Sequence, residues 1–260
     1  MLVVPALWLL ALACSSGSSD PELQGDPSKL GGSSSSGASG TLLVGQATVS
    51  RILGAPITGI ATYYTANGER NCGYDDPADR LYAAARKDNT LWAGSAACGA
   101  CYKVTGELGS VVVVVNDSCP LSGNGDCGNS GASLDLSPEA FDRVAPRSKG
   151  QVSITYQPVS CAVTGTLQYR FKEGSSQYWT AIQIRNAALP VSKLEFNKGG
   201  QWVNIPRVDY NYFIATAGVG ALGPGGLQLR VTSGDGTQQL TDTLPAILDG
   251  QVASGASQFN

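Results

Sequence analysis

Residues 110–116 have the sequence Ser-Val-Val-Val-Val-Val-Asn, and this run of five consecutive valines decides the fold class of the first half of the chain. Valine is β-branched and is enriched in strands. A continuous apolar run of this length is typical of a strand that is buried on both faces, as in a small closed barrel. The run therefore predicts a mainly β structure with a barrel built around this strand.

Short strands and turns are predicted on both sides of the valine run. Further extended segments are predicted at residues 57–65, 102–105 and 151–156. In the last of these Val152, Ile154 and Tyr156 alternate with polar residues and should share one face. A helix is predicted after Ser137, which is a suitable N-cap, with Pro138 in the first turn. The first half is thus predicted to contain many strands and one clear helix.

The sequence after residue 165 predicts an all-β sandwich. Strands are predicted at residues 166–171, 178–185, 192–197, 201–205, 227–232 and 237–244, with hairpin turns at 197–200 and 233–236. Within the second of these strands Ile182 and Ile184 share one face. If that face belongs to the core, Trp179 points towards solvent. An exposed Trp179 beside Tyr178 indicates a flat platform for ring stacking.

The cysteines separate the two halves of the chain. Apart from Cys14, all lie between residues 72 and 161, at Cys72, Cys98, Cys101, Cys119, Cys127 and Cys161. An even number in an exported chain predicts up to three disulfides, and the spacing leaves every pairing open. The CxxC at 98–101 is interpreted as structural, because the chain has neither a histidine nor a second CxxC. We predict a domain at 56–161 and a second at 162–260.

The N-terminus is predicted to direct export. Residues 1–13 are apolar and uncharged, and they are too short to span a bilayer as a helix. Ala11-Leu12-Ala13-Cys14 resembles a bacterial lipobox, so residues 1–14 are predicted to be a signal segment with a lipid attached to Cys14. The alternative is cleavage after Ala13 and free secretion. Residues 15–55 are rich in Ser and Gly and are predicted to be a flexible linker.

The composition excludes several classes of function. The chain has no histidine, which excludes Ser-His-Asp catalysis and imidazole metal sites. It has 17 basic and 20 acidic residues, a net charge of −3, which argues against nucleic-acid binding through phosphate contacts. We predict no bound metal and no cofactor, and any acid–base chemistry must come from carboxylates, Tyr, Lys or Cys.

Several motifs, in order, resemble those of bacterial expansins, which are two-domain proteins that loosen cellulosic walls without hydrolysing them. The motifs are GIATYY (59–64), CGAC (98–101), NDSCP (116–120), LDLSPEAF (134–141), YRFKEGSSQYWTAIQIRN (169–186), KLEFNKGGQWVNI (193–205) and VDYNYF (208–213). The resemblance covers residues 57–245. It implies a six-stranded double-psi β-barrel followed by an immunoglobulin-like β-sandwich that is a family 63 carbohydrate-binding module. It also implies the disulfides Cys72–Cys98, Cys101–Cys161 and Cys119–Cys127.

The resemblance also implies two sets of functional residues. The groove of the barrel should contain Thr62, Asp117 and Asp135. The binding face of the sandwich should contain Lys172, Tyr178, Trp179 and Tyr210. Many bacterial members have a tyrosine in the groove at the position that Cys119 occupies here.

Each of these residues also has a structural interpretation. Asp135 would cap the turn before the predicted helix, and Asp117 would form an Asx-turn at a strand end. By the alternation of the predicted strand, Tyr178 would share the core face with Ile182. Tyr210 would likewise share a face with Val208. Trp202 is left without a role.

The predicted function is non-hydrolytic loosening of plant-type walls. An inverting glycosidase needs two carboxylates, and near the first strand, where related endoglucanases place the base, this chain has Thr62, Tyr63 and Tyr64. One alternative is a lytic transglycosylase or weak endoglucanase with Asp135 as the sole acid. Another is a purely carbohydrate-binding protein. We expect a secreted or cell-surface monomer that binds cellulose, xyloglucan-coated cellulose or peptidoglycan and touches a membrane only through a lipid anchor.

Overall fold

The computed structural model describes residues 51–65, 68–122, 126–129, 131 and 133–260. The predicted signal segment, the lipidation of Cys14 and the predicted linker up to residue 50 lie outside the described residues. The prediction of a linker is wrong for residues 51–55, because Ile52 forms a β-bridge with Val159 and the N–H of Leu53 donates to the carbonyl of Pro158. Within the described ranges, no helix has the length and apolar character that crossing a membrane requires.

The first six strands form a closed barrel in the order β1-β5-β2-β4-β3-β6. Their bounds are β1 Ile57–Tyr63, β2 Tyr82–Arg86, β3 Cys101–Thr105, β4 Ser110–Cys119, β5 Leu134–Leu136 and β6 Val152–Val159. The pairs β1–β5 and β2–β4 are parallel, and the other four pairs are antiparallel. The prediction of a six-stranded double-psi β-barrel is confirmed.

Helices close one side of the barrel and connect its strands. They are α1 Asp126–Asn129, α2 Pro138–Val144 and a 3-10 turn at Arg147–Lys149. As predicted, Ser137 caps α2, and its side chain accepts a hydrogen bond from the backbone N–H of Ala140. Phe141 and Val144 of α2 are fully buried in the barrel core. The helix is therefore held by a cap at its start and by apolar packing along one face.

The prediction that the valine run is buried on both faces is wrong. Val111, Val113 and Val115 point into buried clusters, whereas Val112 is 38% exposed and Val114 is half-buried. A closed barrel covers only the inner side of its strands, so an outer side is buried only where another element packs on it. The outer side of β4 instead borders an open cleft of about 640 Å³ between the barrel and the second half of the chain.

The remaining eight strands form two antiparallel sheets that pack as a sandwich, as predicted. The strands are β7 Gln168–Phe171, β8 Thr180–Arg185, β9 Val191–Lys198, β10 Gln201–Ile205, β11 Phe213–Ala215, β12 Leu227–Ser233, β13 Gln239–Leu244 and β14 Val252–Ser254. One sheet has the order β10-β9-β12-β13 and the other β11-β8-β7-β14. Both contribute to a single core that includes Tyr169, Phe171, Ile182, Leu194 and Leu229.

Three disulfides stabilise the first half of the chain. They are Cys72–Cys98, Cys101–Cys161 and Cys119–Cys127, the pairs that the expansin resemblance implies. The barrel strands end at Val159 and the first strand of the sandwich begins at Gln168. The division of the chain into domains at 56–161 and 162–260 stays a prediction.

Candidate functional site

The three groove residues lie in one row across four neighbouring strands. Thr62 of β1 pairs with Asp135 of β5, which pairs with Ala84 of β2, which pairs with Asp117 of β4. Side chains of paired residues point to the same side of a sheet. Since one strand separates the two aspartates, their Cα atoms are about 10 Å apart at about 4.8 Å per strand. We call the surface formed by Thr62, Asp117 and Asp135 the barrel groove.

Asp135 points to the groove because its neighbours belong to the core. Leu134 and Leu136 are fully buried inside the barrel, so the side chain between them faces the opposite side of β5. Asp135 is only 6% exposed, and its Oδ1 accepts a hydrogen bond of 2.8 Å from the hydroxyl of Thr62. Asp135 lies within strand β5 and not in a turn before α2, and Ser137 caps that helix, as predicted.

Asp117 is held by backbone and side-chain donors. Its Oδ1 accepts hydrogen bonds of 2.8 Å from the backbone N–H groups of Asn71 and Ser118. Its Oδ2 accepts a hydrogen bond of 3.2 Å from the hydroxyl of Tyr64. Asp117 lies inside β4, which continues to Cys119, so it does not close a strand as an isolated turn residue would.

Tyr64 is a groove residue that our sequence analysis missed. Its ring is half-buried against the disulfide Cys119–Cys127, and its edge meets the ring of Tyr82 at a centroid distance of 6.1 Å. Burial, together with the negative charge of Asp117, raises the pKa of Tyr64, so its hydroxyl remains a donor. The sequence does contain an indication of this role, because Tyr64 lies two residues after Thr62 and residues two apart in a strand point to the same face.

The sandwich residues lie on the outer side of the sheet β11-β8-β7-β14. Tyr178 is 75% exposed and Tyr210 is 46% exposed, so neither belongs to the core. Tyr178 does not share the core face with Ile182, because β8 begins only at Thr180 and Tyr178 precedes it. Trp179 is half-buried and packs on an outer apolar cluster that contains Ala181 and Tyr212. We call the surface formed by Tyr178, Trp179 and Tyr210 the aromatic face.

Lys172 lies beside this aromatic face. Its Nζ is 5.4 Å from the centre of the Tyr212 ring, and the Tyr212 ring is 6.0 Å from the ring of Tyr210. Lys172 is therefore a candidate for hydrogen bonding to a ligand that lies over these rings. At exposed sites such a cation–π contact contributes about 0.5–1 kcal/mol.

An open trough of about 890 Å³ lies between the barrel and the sandwich and reaches the aromatic face at Tyr210. Arg70 and Asn71 line it from the barrel, and Lys172, Arg185 and Tyr210 line it from the sandwich. Asn71 links the two sides, because its backbone N–H binds Asp117 and its side-chain amide donates a bond of 2.8 Å to the backbone carbonyl of Asp209. A ligand lying in the trough would contact both halves of the protein.

The described residues contain no cluster of three or more His, Cys, Asp or Glu side chains that could hold a metal ion. What the two surfaces offer is hydrogen bonding in the barrel groove and ring stacking on the aromatic face. Both are modes of contact with sugars, whose rings carry hydroxyls at their edges and C–H groups on their faces.

Comparisons with known proteins match both halves of the chain. A family model described as lytic transglycolase matches residues 84–156. Expansin-YoaJ of Bacillus subtilis is 36% identical over 172 residues, which cover 66% of this chain and 66% of that protein. Expansin-like protein 1 of Dictyostelium discoideum is 32% identical over 210 residues, covering 77% of this chain and 70% of that protein.

Solved structures give a similar result. The crystal structure of the apo form of an expansin from Clavibacter michiganensis matches this chain with a TM-score of 0.66 and 32% sequence identity. The match covers 79% of this chain and 98% of the Clavibacter chain. A point mutant of that protein, solved in complex with cellohexaose, matches with a TM-score of 0.67.

Proposed function

Because this chain belongs to the expansin family, we propose that it loosens cellulose-containing walls by binding glucan chains and disrupting their non-covalent contacts. The observation that carries this proposal is that Asn71, which lines the trough, bonds both to Asp117 in the barrel groove and to the loop that bears Tyr210. A relative with cellohexaose bound supports glucan as the ligand class.

The aromatic face supplies the attachment to the polymer. Tyr178, Trp179 and Tyr210 would stack on the apolar faces of successive sugars. Burial of about 100 Å² per ring at about 25 cal/mol per Å² corresponds to about 2.5 kcal/mol, or about 60-fold in affinity. Such contacts need no charge on the ligand, which suits a neutral glucan.

The barrel groove supplies hydrogen bonds to an adjacent chain. Asp135 and Asp117 are acceptors for sugar hydroxyls, so they can replace contacts that the glucan makes with its neighbours. Each exchanged hydrogen bond changes the free energy by only about 0.5–1.5 kcal/mol. The exchange is therefore close to balanced, and a load on the wall would decide its direction.

The absence of hydrolysis is part of the proposal. A carboxylate has about four acceptor sites, and three on Asp117 are used by Asn71, Ser118 and Tyr64. This occupancy disfavours Asp117 as the base that would activate water opposite Asp135. The two aspartates are close enough for the 6.5–9.5 Å separation of an inverting glycosidase, and it is the hydrogen bonds of Asp117 that oppose this role.

One observation favours a second candidate function. The family model that matches residues 84–156 is described as lytic transglycolase, and a transglycosylase of this kind would use Asp135 as its sole acid. It would release a cleaved glycan, which the loosening function does not.

The test combines wall mechanics with product analysis. Creep of cellulose wall strips under constant load is measured with the wild type, Asp135→Asn and Trp179→Ala, and the supernatants are analysed for reducing ends and anhydro-sugars. We expect the wild type to cause creep without soluble product, and both variants to fall to background. Asp135→Asn should adsorb to cellulose as the wild type does, whereas Trp179→Ala should adsorb more weakly. Product that disappears in Asp135→Asn would establish the transglycosylase, and creep unaffected by Asp135→Asn would overturn the groove's role.

We also propose where the protein acts and on which wall polymer it acts. The protein would act outside the cell, either secreted or attached to the surface through Cys14, with residues 15–50 as a linker. It would act as a monomer. Cellulose is the proposed polymer, and adsorption to xyloglucan-coated cellulose and to peptidoglycan in the same assay would show whether the target is broader.

A further inference from the structure

The sandwich has a second outer surface, on the sheet β10-β9-β12-β13, and a tryptophan lies on it. Trp202 of β10 pairs with Asn197 of β9, and the amide of Asn197 donates a hydrogen bond of 3.0 Å to the side chain of Gln228 on β12. Gln228 pairs with Thr243 of β13. Trp202 and the uncharged polar side chains of Asn197, Gln228 and Thr243 therefore form a row across all four strands. The row is about 14 Å wide at about 4.8 Å per strand.

The indole of Trp202 is held in a fixed orientation by the sheet beneath it. The guanidinium carbon of Arg230, on β12, lies 4.6 Å from the centre of the indole ring. Because Arg230 lies over one face of the ring, the opposite face, which we call the outer face, is the one left for contact. Trp202 is only half-buried, so this outer face is available for contact.

The charges under the indole are paired with one another. Glu195 is buried, and it accepts hydrogen bonds of 2.6 Å from Lys193 and 2.7 Å from Arg230. Both cations therefore share one carboxylate, and their positions are fixed. Asn204, which pairs with Glu195 from the edge strand, adds an exposed amide next to the ring.

We propose that the Trp202 face, formed by Trp202, Asn197, Asn204 and Gln228, is a second binding surface for a neutral polysaccharide chain. A pyranose ring would stack on the outer face of the indole, and the three amides would bind its hydroxyls. Since this face and the aromatic face lie on opposite sheets of the sandwich, one molecule would hold two glucan chains at once.

The charges and the size of the Trp202 face favour a neutral polysaccharide over an anionic polymer or a protein partner. An anionic polymer needs cations that are free to pair with it, whereas Lys193 and Arg230 are already engaged by Glu195. A protein partner of ordinary size would need a larger apolar centre than a single indole surrounded by amides. Stacking on one ring with amide hydrogen bonds around it is a frequent mode of sugar recognition.

The indole N–H signals of the tryptophans provide a direct test. In the full-length protein labelled with ¹⁵N-tryptophan, Trp179→Ala removes the tryptophan of the aromatic face, and cellohexaose is then titrated. We expect a saturable shift of the Trp202 signal. Trp92 is an internal control, because it is buried and its Nε1–H is bonded to Asp209, so its signal should stay in place. A Trp202 signal that moves no more than that of Trp92 would overturn the proposal.

A further double variant separates binding from loss of folding. Asn197→Ala combined with Gln228→Ala leaves the indole and Arg230 intact, and the loss of one or two hydrogen bonds should weaken cellohexaose binding to the Trp202 face by about threefold to tenfold. Unchanged affinity would contradict the role of the amides. Polygalacturonate is tested in parallel, and a salt-dependent Trp202 shift with it but none with cellohexaose would overturn the neutral ligand.

Bivalent binding has its own readout. Suspended cellulose nanocrystals should be bundled by the wild type, and either Trp179→Ala or Trp202→Ala alone should abolish bundling while the other surface still adsorbs. Bundling retained in both variants would overturn the proposal of two surfaces. These results are independent of Asp135 and of wall creep, so failure here and failure of the loosening function can be told apart.

Discussion

Thr62 and Asp135 form a buried hydrogen-bonded pair at the base of the barrel groove. The Thr62 hydroxyl donates to Oδ1 of Asp135, and both side chains are almost inaccessible to water. On the other side of the carboxylate, Sγ of Cys119 lies 3.9 Å from Oδ2. Asp135 is thus oriented by a neighbouring strand and by the disulfide, so its acceptor direction does not depend on a flexible side chain.

Replacing Thr62 tests this orientation. Thr62→Val keeps the shape of the side chain but removes the donor to Asp135, and it should lower the free energy of unfolding by about 1–3 kcal/mol. Wall creep should fall with it, because Asp135 would no longer be held in one direction. Urea unfolding and creep rate measure the two effects. Thr62→Ser retains the hydroxyl and should preserve most of the creep, and a Val variant equal to the wild type in both assays would contradict the role.

At the residue scale, the sequence motifs identify which residues lie in the barrel groove, but they do not predict which partners those residues contact. Thr62, Asp117 and Asp135 were identified from the expansin resemblance, and the strand register brings them into one row. Asn71 carries no signal in the sequence, because it contacts Asp117 through a backbone N–H that any residue except proline offers. Its side-chain bond to Asp209 depends on a residue 138 positions away.

At the scale of strands, the long alternating segments were predictable and the short ones were not. All six predicted sandwich strands are present, and β11 and β14, with three residues each, were missed. β5 was also missed, because Leu-Asp-Leu is too short to show a period and forms a strand only through pairing with β1 and β2. β2 is rich in alanine, which has low strand propensity, and is held by its two neighbours.

The two sheets of the sandwich are joined by a polar contact inside the core. Tyr169 of β7 is fully buried, and its hydroxyl donates a hydrogen bond of 2.6 Å to Asp242 of β13. The other carboxylate oxygen of Asp242 accepts a bond of 2.6 Å from the backbone N–H of Ala256. Burial, and then the bond to Asp242, raise the pKa of Tyr169. The contact fixes how β7 and β13 face each other across an otherwise apolar core.

Removing this hydroxyl should change stability in a pH-dependent way. Tyr169→Phe leaves buried Asp242 with one donor fewer and should cost about 1–3 kcal/mol at neutral pH. The raised pKa of Tyr169 means that its contribution is complete below about pH 10 and decreases above it, since only the unfolded chain then loses the proton. Chemical unfolding of both proteins at pH 7 and pH 11 measures this, and the difference between them should shrink at the higher pH. A constant difference would show that Tyr169 is not held protonated.

The barrel and the sandwich contact each other through β8 and through the loop between β10 and β11. Asp209 in this loop accepts a hydrogen bond of 2.6 Å from the indole of Trp92 and one of 2.7 Å from Lys87, both in the barrel. Ser95 donates to the backbone carbonyl of Val208, and Asn211 donates to that of Cys72. These partners are more than 100 residues apart in the chain, so no local pattern in the sequence could have predicted them.

Tyr210 lies in the same loop, so the contact between this loop and the barrel fixes the position of the aromatic face relative to the barrel groove. A glucan that spans both surfaces requires a fixed distance between them, and rigid contacts provide it without a cost of ordering on binding. If Trp202 also binds a chain, as we propose, a rigid sandwich transmits force between that chain and the one held in the groove. Loosening would then depend on the loop as much as on the residues that touch sugar.

Asp209→Ala tests this dependence for the whole molecule. Burial opposes ionisation of Asp209, but the hydrogen bonds from Lys87 and Trp92 prevail and hold its pKa below the ordinary value. Its contribution to stability is therefore present above about pH 4, the value in the unfolded chain, and is lost as the pH falls through the lower value of the folded protein. The melting temperature of Asp209→Ala should be below that of the wild type at pH 7, and the two should converge in acid.

Asp75→Ala, which removes an exposed carboxylate 3.5 Å from Arg185, is the matched control and should melt like the wild type. Creep should fall in Asp209→Ala while adsorption to cellulose persists, and a variant with full creep and an unchanged melting temperature would show that the two halves work without this contact.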